Sequence, residues 1–288
     1  MQETRPSQTA SFVALWRAIA ERGFTSAPSF SDPVVGSLLS PSWAVLDRLL
    51  AFGLARTTPL QRAHSIPQFD SIALRVLAID VALQRAVAAG VAQLVILGAG
   101  LDTRAFRLPE LADVAVFEVD HPATQAYKRR KAATLPVRAK SLSFVPVNFE
   151  RDALGPALLA AGHRADEPTV WVWEGVVMYL ADDALRTTLD AIAAASAPAS
   201  VLVVNYHDQV PLAAQHSREQ KLRELLLSYW GEPQIGLRAP ATMLREVSRV
   251  GFAVERDTGT TEWAAQVGGQ PPAGQTAAVA RLLVAQRR

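Results

Sequence analysis

Two glycines stand one residue apart in LVILGAGLDTRAFRL, Leu94 to Leu108, where an apolar run stops and charge begins. Gly98 and Gly100 fit either a tight turn or a loop that lets backbone come close to a nucleotide-like ligand. Position 103 is a threonine, so the G-x-G-x-x-G fingerprint lacks its third glycine. Asp120, in VFEVDHP, lies 20 residues beyond Gly100, where a carboxylate can accept both hydroxyls of a ribose. Asp120-His121-Pro122 also reads as a helix start with proline in the first turn. In VPVNFE, Asn148 has the groups to bond an adenine edge and Phe149 a ring to lie against it; an asparagine after a strand is equally a turn residue. Glu174 interrupts the apolar VWVWEGVVMYL and needs compensation there, from an arginine of the fold or from a cationic ligand group. VVNYHDQ offers one candidate general base, His207, with Tyr206 and Asp208 beside it, against the alternative of a structural or solvated histidine. The 5 histidines form no ligand-spaced pair, so no metal site is expected.

These residues fall at the ends of apolar runs. QLVILGA, VAVFEVD, LSFVPVNF, TVWVWEGV, SVLVVNYH, FAVERD and ARLLVAQ read as seven strands, and their continuous hydrophobicity points to burial on both faces. HPATQAYKRRKAATL, DALRTTLDAIAAASA and PATMLREVSRVG carry helical periodicity between them, which predicts an α/β, doubly wound, mostly parallel sheet. Upstream, TASFVALWRAIAERG, PVVGSLLSPSWAVLDRLL and IALRVLAIDVALQRAVAAG read as helices, the last leading into the first strand. ALLAAGHRADE and AIAAASAPAS read as helix ends and loops, and there is no internal repeat. The expectation is one domain over 1–288, with an N-terminal helical cap at 1–75, a core at 76–288, and a helical insertion at about 208–240 before the sixth strand. An insertion there overlies the carboxyl ends of the strands, where ligands bind.

The bulk numbers narrow the function classes. Lys plus Arg number 29 against 27 Asp plus Glu, too even a balance to argue for nucleic acid or an acidic membrane. With no cysteine there is no disulfide, thiolate ligand or cysteine nucleophile. MQETRPSQTASF lacks the pattern of a secretory leader and no run approaches a bilayer span, so the expectation is a soluble, cytoplasmic protein. The sequence carries no sign of its oligomeric state.

Taken together, SQTASFVALWRA, LRVLAIDVALQRAVAAG, LVILGAGLDTRAFRLP, FEVDHP, EGVVMYL and GEPQIGLRAPATMLREVSRVGF resemble the leucine carboxyl methyltransferase-like group of class I S-adenosylmethionine-dependent methyltransferases, especially its bacterial branch. The resemblance covers nearly the whole chain and implies a Rossmann-like fold and S-adenosylmethionine as cofactor. It implies a cofactor loop at Gly98, Ala99 and Gly100, a ribose acid at Asp120 with His121 beside it, and an adenine site at Asn148 and Phe149. It also implies that Glu174 faces the methionyl ammonium and Arg75 the carboxylate, with Arg17 assisting from the cap. Asn148-Phe149 departs from the family's usual pairing of Asp with a hydrophobic residue. Asp102 and Arg104 are expected to brace the loop as an internal ion pair.

The resulting expectation is an O-methyltransferase forming a methyl ester on a small-molecule carboxylate. An alternative is a phenol or alcohol acceptor with His207 as base and Tyr206 beside it. Two readings from other classes are a NAD-binding oxidoreductase, disfavoured by the missing third glycine, and a non-catalytic adenosyl-binding protein.

Overall fold

The computed structural model describes residues 7–57, 67–149, 151–209, 234–271 and 279–288. All seven expected strands form: β1 Gln93–Leu97, β2 Ala115–Asp120, β3 Ser141–Pro146, β4 Thr169–Trp173, β5 Val201–His207, β6 Phe252–Gly259 and β7 Ala280–Arg287. They make one sheet in the order β3-β2-β1-β4-β5-β7-β6. β1 pairs in parallel with both β2 and β4, Leu97 opposite Val119 on one side and Trp173 on the other. β7 lies antiparallel between β5 and β6, the one reversed strand. Successive crossovers from β1 and β4 leave in opposite directions, which opens a crevice over the carboxyl ends of those two strands.

The pleat sends alternate residues of each run to opposite faces, and each face has its own apolar cluster. Leu94 and Ile96 join Val172, Ile79, Leu83 and Trp263 on one face. Val95 and Leu97 join Trp171, Trp173, Leu189 and Met243 on the other. Burial on both faces explains why the runs are continuous, and each such side chain contributes about 1.5–3 kcal/mol against exposure.

The helices are α1 Gln8–Glu21, α2 Val35–Leu38, α3 Pro41–Ala55, α4 Pro67–Ala88, α5 Arg104–Arg107, α6 Pro122–Ala132, α7 Leu154–Ala160, α8 Asp182–Ala194, α9 Pro240–Arg249 and α10 Thr260–Val267, numbered over the described residues. The single helix expected over 33–50 is two, because Ser40 accepts from the Trp43 N–H and Pro41 opens a new first turn. The cap boundary expected after residue 75 falls inside α4, and Ala14, Ala18 and Leu38 of the cap share the sheet's first apolar cluster. Most of the expected insertion, 210–233, lies outside the described residues. No described helix is long and apolar enough to cross a membrane.

Candidate functional site

A cavity of about 570 Å³ lies over the crevice. The cap supplies Ser7, Thr9, Ala10, Val13 and Arg17 to its wall, the β1 end Gly98 to Asp102, the β2 end Asp120 and His121, and the β3 end Val147, Asn148, Phe149 and Arg151. Arg75 comes from α4, Glu174, Gly175, Val176, Tyr179 and Leu180 from beyond β4, and Ile235 from the chain returning toward α9. All ten residues expected to hold a cofactor therefore line one cavity.

The glycines are required by conformation and by space. Gly98 and Gly100 have φ of +66° and +48°, a region that favours glycine. A Cβ on Gly98 would run into the Val176 side chain, and one on Gly100 would lie 3.1 Å from Ala10 Cβ. The Gly98 and Ala99 N–H groups donate to the Val119 carbonyl at 2.8 and 3.0 Å, tying the loop to β2. Thr103, where the third glycine was missing, puts its hydroxyl against Asp32 at 2.8 Å and accepts from Arg17.

Asp120 Oδ1 accepts from the His121 N–H at 2.6 Å and Oδ2 from the Gly100 N–H. The cap of α6 is His121, whose Nδ1 accepts from the Ala123 N–H at 3.3 Å; the helix-start reading thus belongs to His121 and not to Asp120. Burial raises the Asp120 carboxyl above its ordinary value, against the pull of the two N–H donors. At the β3 end the turn reading of Asn148 is realised, since its carbonyl accepts from Arg151 and Asp152 at 2.9 and 2.8 Å while the residue also lines the cavity.

A charge cluster forms part of this wall through Arg17, Arg75, Asp102 and Glu174. Glu174 Oε1 accepts from Arg75 Nε at 2.8 Å and Oε2 from Arg104 Nη2 at 2.9 Å. Arg104 also donates to Asp80 at 2.7 Å and pairs with Asp102, Arg107 donates to Asp80 at 2.6 Å, and Arg17 pairs with Asp32. Arg17 further donates to the Leu101 carbonyl at 3.0 Å. Four arginines thus meet four carboxylates. Glu174 has its arginines from within the fold and also faces the cavity, so the two sources of compensation weighed for it are not exclusive. Burial opposes ionisation of Asp102, but Arg104, Lys128 and Arg17 outweigh it and hold the carboxyl at about 2. Glu174 is likewise held low, by Arg104 and Arg75 against burial. The Asp102–Arg104 pair is the expected internal brace. Asp32, Asp80 and Arg107 were missed, although Asp80 stands alone in the apolar stretch VLAIDVAL and a lone acid there calls for a partner.

Tyr206 and His207 are not brought to this wall. The pleat of β5 puts Tyr206 in the second apolar cluster, where its hydroxyl donates to Asp257 at 2.7 Å and accepts from Arg281 at 3.1 Å. Burial and Asp257 push its phenol well up, the wrong direction for a base. His207 is buried at the strand end, its carbonyl accepting from the Arg238 N–H at 2.9 Å.

A family model described as leucine carboxyl methyltransferase matches residues 10–193. A protein of Mycolicibacterium paratuberculosis named as an S-adenosyl-L-methionine-dependent methyltransferase is 35% identical over 219 residues, covering 75% of this chain and 71% of its own. One of Mycobacterium avium under the same name is 36% identical over 227 residues, with 76% and 70% covered. Among solved structures, one from Thermobifida fusca named as a methyltransferase superposes with a TM-score of 0.57 at 17% identity, covering 100% of this chain and 97% of that one, which is a likeness of fold.

Proposed function

Because the chain belongs to the leucine carboxyl methyltransferase family and is an S-adenosylmethionine-dependent methyltransferase, we propose that it methylates the carboxylate of a small molecule to a methyl ester, with cap and core working as one domain. The supporting observation is the cavity wall: Tyr206 and His207, the bases weighed for a hydroxyl acceptor, are not among its described lining residues, and His121, which is, has its Nδ1 engaged in capping α6. A carboxylate is ionised near neutral pH and needs no base.

The wall suits the cofactor. Gly98 and Gly100 carry the loop along the wall at positive φ, packed too closely against Val176 and Ala10 for a Cβ, and Asp120 presents a carboxylate at the neighbouring strand end. In this reading Asp120 accepts from the ribose and Asn148 and Phe149 border the adenine. Arg75 meets the amino-acid carboxylate and Glu174 the ammonium, so an evenly charged cluster receives a zwitterion without excess charge. Arg17 acts through Asp32 and Thr103, holding the loop that the cofactor lies on.

Held by these residues, S-adenosylmethionine would supply an electrophilic methyl on a sulfonium, whose transfer to a carboxylate would exchange the C–S bond for a C–O bond, leave the electron pair on sulfur and require no proton to be removed. The protein's part is alignment and exclusion of water. Val13, Val176, Tyr179 and Leu180 give the cavity an apolar part of its wall beside the charged one.

Single-turnover methylation by His207→Ala tests the acceptor. A carboxylate acceptor predicts a chemical step nearly unchanged and indifferent to a group titrating near about 6.5. A loss of roughly 10²–10⁴-fold in a folded variant would instead establish a hydroxyl acceptor with His207 as base.

A further inference from the structure

The chain returning toward α9 is fastened to the β4 side of the cavity by one arginine. The Gly236 N–H donates to the Met178 carbonyl at 2.9 Å. Arg238, 4% exposed, donates from Nη1 to the carbonyls of Val177 at 3.1 Å and Gly236 at 2.8 Å, and from Nη2 to Leu180 at 2.6 Å. Its Nε donates to Asp182 at 3.0 Å, at the start of α8. A single guanidinium therefore caps carbonyls of the 3₁₀ turn Val177–Tyr179, of Leu180 after it and of its own chain, and pairs with the carboxylate that opens the next helix. A Cβ on Gly236 would lie 2.6 Å from the Val177 carbonyl oxygen, so only glycine allows this approach.

That fastening holds a particular surface. The residues assigned to the adenosine come from the ends of β1, β2 and β3, which lie to one side of the crevice in the strand order. Beyond β4, on the other side, Val176, Tyr179, Leu180 and Ile235 line the cavity, with Val13 from the cap also on the wall. Among the described residues there, Tyr179 supplies a hydroxyl, the neighbouring charges Asp182 and Arg238 pair with each other, and Glu174 is held by two arginines. A polar carrier would lose hydration over Val176, Leu180 and Ile235, side chains that return no hydrogen bond, whereas an apolar one gains by burial against them. Ile235 is 64% exposed in the free protein and would be covered by such a carrier.

We propose that the β4 side of the cavity is the acceptor subsite, that it takes an acceptor whose reacting oxygen is carried on an apolar group, and that Arg238 is the positioning residue that fixes this wall. The proposal rests on the methyl-transfer reading, and refines it by naming the class of carrier.

The test is calorimetric titration of the protein saturated with S-adenosylhomocysteine, using octanoate, 1-octanol, succinate and 1,4-butanediol as probes. Both octyl probes should bind at least about tenfold more tightly than the polar ones. Ile235→Asp and Arg238→Gln should each weaken the octyl probes by about tenfold while leaving S-adenosylhomocysteine within about twofold. Ile235 is exposed, so its variant remains informative should Arg238→Gln not fold. Polar probes binding as tightly, no change with Ile235→Asp, or equal losses of probe and S-adenosylhomocysteine in Arg238→Gln would overturn the proposal. Octanol binding and being methylated while octanoate is not would support the subsite and overturn ester formation. Ester formation on another acid with octyl probes no tighter than polar ones would overturn the subsite alone.

Discussion

Glu174→Gln perturbs the point where cofactor site and buried charge cluster meet. Each Glu174 oxygen accepts one guanidinium N–H, at 2.8 and 2.9 Å, in a cluster of four arginines and four carboxylates. The amide removes one negative charge, leaves a buried excess of positive charge, and turns its own N–H₂ toward one of the two arginines. Breaking a buried pair costs about 3–5 kcal/mol. Arg104 keeps Asp80 and Asp102, which places the cost at the lower end, about 3 kcal/mol. At about 2–4 °C per kcal/mol for a large single domain, the melting temperature should fall by roughly 6–12 °C. Glu174 is also assigned to the ammonium of the cofactor. Loss of a charge-assisted bond, about 1.5–3 kcal/mol, should weaken S-adenosylhomocysteine by about ten- to a hundredfold. 5′-Methylthioadenosine, which has no amino-acid end, should bind within about twofold of wild type. Thermal melts and titration of both ligands check this. An unchanged melt would refute the cluster's role in stability, and equal losses for the two ligands would refute the ammonium assignment.

Asp120→Ala should weaken S-adenosylhomocysteine by about ten- to a hundredfold in a folded protein, since the charge-assisted bonds to ribose are lost; unchanged affinity in the titration would remove the ribose role. Acid stability should carry the signature of Asp102, whose carboxyl is held at about 2 against an ordinary 3.8. A depressed value contributes stability that is present above the unfolded value and lost as pH falls through the folded one, here about 2 kcal/mol lost between about pH 4 and 2. Denaturant titrations across that window should show a shallower acid limb in Asp102→Asn; the same slope in both proteins would contradict the assignment.

What could be read in advance was local. Gly98, Gly100, Asp120 and Glu174 each stand next to an apolar run, so the end of a strand and the residue that breaks it appear together in the sequence. The partners of those residues do not, because ion pairs close over long separations: Arg75 reaches Glu174 99 residues on, and Arg104 reaches back 24 to Asp80. Tyr206 and His207 show a different difficulty. Adjacent strand residues face opposite ways, and which face meets the cavity depends on the register of the sheet, not on residue type. The break at Ser40-Pro41 was legible as a cap followed by proline, yet the apolar periodicity on either side masked it. α7 and α10 are 7 and 8 residues long, too short for helical period to stand out in an alanine-rich chain.

Ester formation is tested most directly by the chemistry of the methylated product. Purified protein, S-adenosylmethionine labelled in its methyl group and a panel of small carboxylic acids, phenols and alcohols are incubated, and the labelled products are treated with mild alkali. The account predicts label in acids only, released as methanol by alkali because a methyl ester hydrolyses and an aryl or alkyl ether does not. Alkali-stable label in a phenol or alcohol, with the acids unlabelled, would contradict it.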